Sequence, residues 1–376
     1  MIAEIINQDY RLDKTDLKII GLLARDCRLS YERIGSAINL TRNSIKTRIK
    51  KMVSEGVIQE FIADINFELI GYRICYIITK QGQEKDSRNN NTKGNNSSNS
   101  SNTRKIVIDQ LNQIGEILAE IEILGAASIF RVAIREANEY KENTLADYNI
   151  SSLLLDTGLI EKVIPVNSRS AQSCMYKNRK QQSYVTPTDL KILRCLVLNP
   201  QIGIADICKI VAISARTANR ILNKLKDDRV VRFSVICDPT AMKGLVVFGL
   251  LIYVNQEGGA AIEEQKKSKK PNAHKILERL YTEFPEYPFL RLPLISHDNI
   301  IVVSVYGNDI SAIDSMFKRI LSFEDVKKAE LYVFTRIKYH KEWILREIDN
   351  KLESEFQSAI PNSVRNLQHK KPSRKS

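Results

Sequence analysis

The chain carries a copy of part of itself. Thr15-Asp16-Leu17-Lys18-Ile19 recurs as Thr188-Asp189-Leu190-Lys191-Ile192, and the offset of 173 residues then holds without a gap. It pairs Leu23 with Leu196, Ile34 with Ile207, Thr41 with Ser214, Lys51 with Lys224, Val57 with Val230 and Gly71 with Gly244. A register kept over nearly sixty residues, with apolar positions matching apolar positions, marks a duplicated unit rather than a chance pentapeptide. Whatever the first copy folds into, the second must fold into as well. A length of 376 residues leaves room for further domains beside the pair.

Each copy opens on helical periodicity, Leu17, Ile20, Leu23 and Ala24 in the first and Leu190, Leu193, Leu196 and Val197 in the second. Asp16 or Asp189 places negative charge in the first turn, where the helix dipole favours it. A second helix is predicted from about Ser30 to Ile38 and from about Ile204 to Val211, and a third begins after the N-caps Thr41 and Ser214. The third helix of the first copy stops at Gly56, and the second copy has Arg229 at that place. Val57 to Ile65 and Val230 to Cys237 are β-branched and aromatic, and read as a strand or short hairpin, the wing of a winged helix.

Beyond each wing the pattern changes. Tyr72 to Thr79 and Val246 to Val254 are nearly continuous apolar runs suited to buried strands. In the first half a helix near Ile106 to Leu118, strands near Ile121 and Ile129 to Ile134, a helix near Tyr140 to Leu155 and a strand at Lys162 to Val166 follow. The second half gives a helix near Ala273 to Phe284, strands near Phe289 to Ile295 and Ile300 to Tyr306, a helix at Ile310 to Leu321 and a strand at Lys328 to Arg336. Both orders are β-α-β-β-α-β, the ferredoxin-like arrangement. The predicted class is therefore α+β, with winged helix-turn-helix domains at 12–71 and 185–244, each followed by a ferredoxin-like (βαββαβ) domain, at 72–167 and 245–338. An Asn/Ser tract at 82–104 and a Gly- then Lys-rich stretch at 256–270 lack the apolar side chains that would offset ordering, and read as flexible inserts. A basic linker at 168–184 joins the halves, and 339–376 reads as a helix carrying Trp343, Ile344 and Ile348 followed by a basic tail.

Composition narrows the function. Hydrophobic residues at 43% and charged residues at 27% are those of an ordinary globular protein. The start has no basic segment followed by an apolar run and a cleavage site, and the apolar stretch Leu245 to Val254 is about half of the roughly 20 residues a membrane span needs. A cytoplasmic, nucleoid-associated protein without membrane contact is expected. The six cysteines, Cys27, Cys75, Cys174, Cys195, Cys208 and Cys237, are scattered without a Cys-x-x-Cys pair or His at zinc spacing, so reduced thiols, no metal and no cofactor are expected. A net charge of +13 points to a polyanionic partner, yet nine of those charges sit in the linker (Arg169, Lys177, Arg179, Lys180) and the tail (Arg365, Lys370, Lys371, Arg374, Lys375).

The sharper signal lies on the third helix. On a helical wheel Ile45, Ile49 and Met52 form the core face, while Asn43, Lys46, Thr47, Lys50 and Ser54 lie opposite and Arg42, Arg48 and Lys51 flank. No acidic residue occurs from Arg42 to Val53. Lys and Arg neutralise phosphates, and Asn, Thr and Lys reach base edges, the mixture a helix needs in the major groove of double-stranded DNA. In the second copy Ala218, Leu222 and Leu225 face the core, Arg216, Asn219, Arg220 and Asn223 point away, and no acid occurs from Ala215 to Lys226. The candidate DNA-binding set is thus Arg42, Asn43, Lys46, Thr47 and Lys50 with Arg216, Asn219, Arg220 and Asn223. Asp227 and Asp228 at the end of the second helix could repel phosphate and favour a structural role for that copy.

The run from Leu12-Asp13 and Thr15-Asp16, through Leu40-Thr41 and Arg48-Ile49-Lys50-Lys51, to Glu55-Gly56-Val57-Ile58 and Gly71-Tyr72 resembles the N-terminal winged helix of the Lrp/AsnC transcription regulators. The second copy resembles it more weakly, keeping Asp238-Pro239 and Gly244 near its end. The resemblance implies DNA binding, and a ferredoxin-like domain through which members pair and often sense an amino-acid effector. Members usually carry a Gly-Asp type turn between the second and third strands of that domain; Leu124 to Ser128 and Ile295 to Asn299 stand there instead, and no effector residue is assigned. Members generally carry one unit per chain, so this chain is expected to form within itself the pseudo-dimer that others build from two, with homo-oligomers as a further level of association.

Two other classes compete with this reading. Haem-biosynthesis decarboxylases resemble the same domain pair and can occur as two related halves, but such a site would use His and Arg. Of the four histidines, His274, His340 and His369 fall in predicted helix, tail or insert-edge positions and His297 in a turn. No Ser-His-Asp set, phosphate-cradling loop or carboxylate pair stands out, and no catalytic site is expected. The alternative to a specific regulator is a chromatin-like or scaffold protein that binds DNA without sequence preference through its linker and tail.

Overall fold

The computed structural model describes residues 11–67, 71–80, 97–125, 127–135, 159–166, 185–255, 272–284, 294–295 and 300–359. The first half runs α1 (Lys14–Arg25), α2 (Tyr31–Ile38), α3 (Arg42–Ser54), β1 (Ile58–Ile65), β2 (Tyr72–Thr79), α4 (Ser97–Ile114), β3 (Glu116–Ile123), β4 (Ser128–Arg135) and β5 (Ile160–Pro165). The second runs α5 (Pro187–Leu198), α6 (Ile204–Val211), α7 (Ala215–Asp227), β6 (Val231–Cys237), β7 (Val246–Val254), α8 (Asn272–Glu283), β8 (Leu294–Ile295), β9 (Ile300–Gly307), α9 (Ile310–Leu321) and β10 (Val326–Tyr339), and closes on α10 (Glu342–Ala359). The fold is α+β, two helix-turn-helix units each leading into a sheet with helices on one face.

The duplication persists in the backbone as well as in the residues. Asn39 and its counterpart Ala212 both take φ 58°, and Gly56 (φ 75°) is matched by Arg229 (φ 58°). The left-handed turn that ends α3 is therefore kept at Arg229 although a side chain is disfavoured there. Thr41 and its counterpart Ser214 both accept backbone N–H bonds three residues on, whereas Ser30 does so and its counterpart Gly203 has no side chain to do it. Asp13 with Asp16 and Thr186 with Asp189 close reciprocal capping boxes.

The expected wings are not free hairpins. β1 and β6 are single strands that pair with each other, antiparallel. Phe61 lies opposite Val235 and Ile62 opposite Ser234. Because Val235 is the counterpart of Ile62 and Ser234 that of Phe61, each strand pairs with its own copy about a point between residues 61 and 62. From Glu60 to Ala63 that register is two-fold symmetric, and a bulge between Ile58 and Glu60 breaks it beyond. The helices cross over in keeping with the symmetry, α1 packing on β6 and α5 on β1.

The remaining strands form one eight-stranded sheet, ordered β5-β2-β4-β3-β10-β7-β9-β8. In each half the fourth strand lies beside the first, and the third between the first and second. The halves join where β10, longer than expected, leaves β7 at Phe334 and continues along β3 as far as Tyr339 opposite Ala119. Lys162 of β5 reaches Glu330 of β10 and the Tyr253 hydroxyl of β7, so the sheet folds back and its halves face each other. Strand alternation divides the core: Cys75 and Ile77 pack toward α4, Phe248, Leu250 and Ile252 toward α8 and α9, and Ile74, Tyr76, Ile78, Val247 and Leu251 join the central cluster with the helix-turn-helix units. Gly249 sits under the Phe334 ring, where an added Cβ would come within 2.6 Å.

Among the contacts that tie the halves together, two groups fix the sheet to the helix-turn-helix units. Buried Asp64 of β1 accepts from Arg131 of β4 at 2.9 Å and from Arg232 of β6 at 2.8 Å, anchoring the paired strands to the sheet. The second runs along α10: Trp343 packs against Phe67 and Tyr72, Arg346 meets Glu116 at 3.1 Å, and Asp349 meets Arg194 of α5 at 2.7 Å.

One expected insert is partly helical. α4 starts at Ser97, within the 82–104 stretch, and ends at Ile114, so Glu116 to Leu118 belong to β3 rather than to a helix. Once Val107 and Leu111 dock on the sheet the costly nucleus exists, and upstream residues add only propagation. Arg104 fastens this turn with two 2.6 Å bonds to buried Glu120. The helix expected near Tyr140 to Leu155, the insert at 256–270, the linker at 168–184 and the tail beyond 360 lie outside the described residues, as does most of the strand expected from Phe289.

Candidate nucleic-acid interface

In the first unit the geometry starts from the α2–α3 turn. Asn39 takes the left-handed conformation, the Leu40 N–H donates to the Gly35 carbonyl, and a Cβ on Gly35 would lie 2.3 Å from the Leu40 oxygen. Glycine is thus what lets α3 approach α2 this closely. Ile45, Ile49 and Met52 are buried, and Asn43, Lys46, Thr47 and Lys50 are exposed on the opposite face. Among the described residues neither Lys46 nor Lys50 has a carboxylate partner, whereas Arg42 pairs with Glu32 at 2.8 Å across the turn. An exposed pair of that kind is weak and leaves Arg42 able to exchange partners.

Arg48, placed at the edge of this face by the helical wheel, turns inward. It donates to Asp13 at 2.7 Å and Asp16 at 2.8 Å, fastening α3 to the capping box of α1. Burial pushes the Asp13 carboxyl up, but the Asp16 N–H and the Arg48 guanidinium more than offset this and hold it below its ordinary range. The second unit makes the same tie with a different residue, Lys224 to Asp189 at 2.9 Å. The sequence signal was an acid at the third position of the first helix facing a basic third helix, and helical wheels drawn one helix at a time do not register it.

In the second unit Ala218, Ile221, Leu222 and Leu225 are buried and Arg216, Asn219, Arg220 and Asn223 are exposed. Asn219 donates back to the Ala215 carbonyl at 3.0 Å. Asp227 and Asp228 are exposed, but they stand at the C-terminal end of α7, whereas the four candidate residues occupy its first three turns. The structure therefore brings the candidates together as two exposed faces on two separate helices.

Between the units runs a seam that sequence reasoning missed. Arg28 donates to the carbonyls of Pro200 at 2.6 Å and Ile202 at 3.0 Å, and its counterpart Gln201 donates to the Cys27 carbonyl at 3.1 Å. Ser234 donates to the Ala24 carbonyl at 2.9 Å, and Lys226 at the end of α7 meets Asp26 at 2.6 Å. The Arg28 and Gln201 bonds follow the two-fold relation of β1 and β6, whereas the Ser234 and Lys226 contacts stand on one side only, their counterparts being Phe61 and Val53.

Cys27, Cys75, Cys195 and Cys237 are buried free thiols and Cys208 is half-buried, while Cys174 lies outside the described residues. Burial pushes the Cys27 thiol up to about 12, which makes it unreactive. Among the described residues no group of three or more His, Cys, Asp or Glu side chains could hold a metal ion, and no helix is long and apolar enough to cross a membrane. His297 and most of the turn around it lie outside the described residues, and so does Ala126 in the other candidate effector turn.

Comparison with known proteins places these elements. Residues 12–53 match the AsnC-type helix-turn-helix domain, and residues 186–232 match a winged helix-turn-helix DNA-binding domain. An uncharacterized HTH-type transcriptional regulator of Pyrococcus abyssi is 43% identical over 77 residues, which is 20% of this chain and 52% of that protein. One of Pyrococcus furiosus is 42% identical over 77 residues, again 20% of this chain and 52% of the relative. The chain thus spans about half the length of the curated relatives it matches. Among solved structures, the siroheme decarboxylase NirDL is similar at 14% identity with a TM-score of 0.45, over 91% of this chain and 99% of that one. A likeness at that score says nothing of activity. The chain therefore carries an AsnC-type helix-turn-helix domain at residues 12–53 and a second, winged helix-turn-helix DNA-binding domain at residues 186–232 of one polypeptide.

Proposed function

We propose that this chain is a transcription regulator that binds double-stranded DNA, laying α3 in the major groove with Arg42, Asn43, Lys46, Thr47 and Lys50 as its contacts. The observation that carries this reading is the exposed, acid-free face of α3, with Lys46 and Lys50 unpaired by carboxylate among the described residues. A cation already paired within the protein gives little when it meets a phosphate. Lys46 and Lys50 are free to displace counterions from the duplex, the term that dominates affinity. The side chains between them can donate to and accept from base edges. The names of the curated relatives, HTH-type transcriptional regulators, support the same reading. The paired halves take the place of two subunits, and the domain limits read from the sequence describe the working parts. Such a protein acts in the cytoplasm, on the nucleoid. Sensing of an amino acid by the sheet domains is left without assigned residues.

Fluorescence anisotropy with labelled duplex, repeated across a salt series, tests the proposal. The double variant K46A/K50A should bind more weakly, and its log-log salt slope should be shallower by about 1.8, roughly 0.9 for each lost phosphate contact. Binding and slope equal to those of the unaltered chain would remove α3 from the interface. A slope that disappears only on deleting residues 361–376 would favour binding without sequence preference through the tail.

A further inference from the structure

We infer that this chain reads one composite DNA site made of two unlike half-sites in inverted orientation, one under α3 and the other under α7, with a single chain on each duplex. The inference rests on the DNA-binding reading of α3 and adds the role of the second unit and the form of the target.

The orientation follows from the seam. From Glu60 to Ala63, β1 and β6 pair in a register that is unchanged when the two copies are exchanged, Phe61 opposite Val235 and Ile62 opposite Ser234. Arg28 and its counterpart Gln201 each donate to a carbonyl of the other unit's helix-turn-helix. Two readers related by a two-fold axis meet a duplex whose backbone has the same symmetry, and each reads its half-site in the opposite sense to the other. In a homodimer such an arrangement selects a palindrome, because both readers carry the same side chains.

Here they do not. Lys46 is replaced by Asn219, Thr47 by Arg220 and Lys50 by Asn223 at equivalent positions of the two helices. Their base chemistry differs: Arg pairs in bidentate fashion with guanine, Asn with adenine, and Lys offers a point charge to guanine acceptors. The symmetry of the backbone therefore fixes inversion, while the divergence of these three positions forbids identity. These side chains stand exposed on a helix face free of carboxylates, as those of α3 do. Asp227 and Asp228 do not oppose contact, since the residues that enter the groove lie toward the start of a recognition helix and these acids lie at its end. The two units are joined by the β1–β6 pairing, the Arg28 bonds to Pro200 and Ile202 and the Lys226 to Asp26 ion pair, and these contacts set the spacing of α3 and α7.

The test is selection of bound duplexes from a random pool by the full chain, followed by affinity measurements on the selected site. The expected product has two inverted, non-identical half-sites, occupied at one chain per duplex by sedimentation. R220A/N223A, at exposed positions, should lose about tenfold in affinity and relax base preference at one half-site only, and K46A/K50A should do so at the other. Inserting about half a helical turn, roughly 5 base pairs, between the half-sites should cost at least tenfold. N219K/R220T/N223K, which gives α7 the side chains of α3, should shift preference toward a palindrome of the first half-site. Selection of a single half-site, or R220A/N223A binding the selected duplex like the unaltered chain while K46A/K50A fails, would overturn the inference and leave the function proposed for α3 standing. If K46A/K50A also bound unchanged, that function itself would fall.

Discussion

Replacing Asp64 with asparagine tests how the paired strands are held to the sheet. Asp64 and Arg131 have side chains only 9% and 10% exposed, and Arg232, the second donor, is 36% exposed. The neutral amide of D64N would leave the Arg131 guanidinium uncompensated inside the protein, and loss of one partner from a buried pair costs about 3–5 kcal/mol. Arg232 behaves otherwise: R232Q removes a half-exposed partner, whose ion pair contributes about 1 kcal/mol or less. Removing both buried charges in D64L/R131L should recover most of the loss, because an apolar replacement spares the desolvation of two ions. Urea unfolding followed by circular dichroism measures all three. The pH dependence is fixed by the direction of the Asp64 shift. Burial pushes its carboxyl up, but Arg131 and Arg232 more than offset this and hold it far below the usual carboxylate range. A depressed carboxylate contributes in full above its unfolded pKa of about 3.9 and loses that contribution as pH falls below it. The gap between the unaltered chain and D64N should be level from about pH 7 to 5 and narrow below about pH 4. A D64N cost under about 1 kcal/mol, or a gap that widens on acidification, would refute the reasoning.

Other outcomes follow from the seam and the turns. R28A removes two hydrogen bonds to carbonyls of the second unit and should destabilise the chain by about 1–3 kcal/mol, with amide exchange quickening around residues 199–202. Exchange unchanged there would mean that the units hold together without Arg28. Ala212 sits at φ 58°, so A212G should relieve its steric cost, offset in part by greater freedom of the unfolded chain, for a net gain of about 0.5–1 kcal/mol in thermal or urea unfolding. A loss would show that the turn is not strained.

Local features are legible in the residues, and features that depend on a second segment are not. The third helices, their caps and their exposed faces follow from short-range periodicity, and Thr41 and Ser214 cap where the pattern places them. Pairing of β1 with β6 is invisible because nothing in Val57 to Ile65 says whether its edge meets a wing hairpin or its own distant copy. The continuation of β10 along β3 past Phe334 is hidden for the same reason, since a strand's length is set by the neighbour it finds. Ser97 to Asn102 reads as an insert because composition reports propensity, whereas the docking of Val107 and Leu111 decides where the helix starts. In the candidate site, Arg48 reads as part of the exposed side because only the fold brings Asp13 and Asp16 beside it.

The central claim, that α3 lies against DNA, is tested most directly by lysine acetylation with and without saturating duplex, read by mass spectrometry. The account predicts that duplex protects Lys46 and Lys50 while exposed Lys105 on α4 reacts equally in both states. Protection confined to Lys177, Lys180, Lys370 and Lys371, with Lys46 and Lys50 reacting as in the free chain, would contradict it.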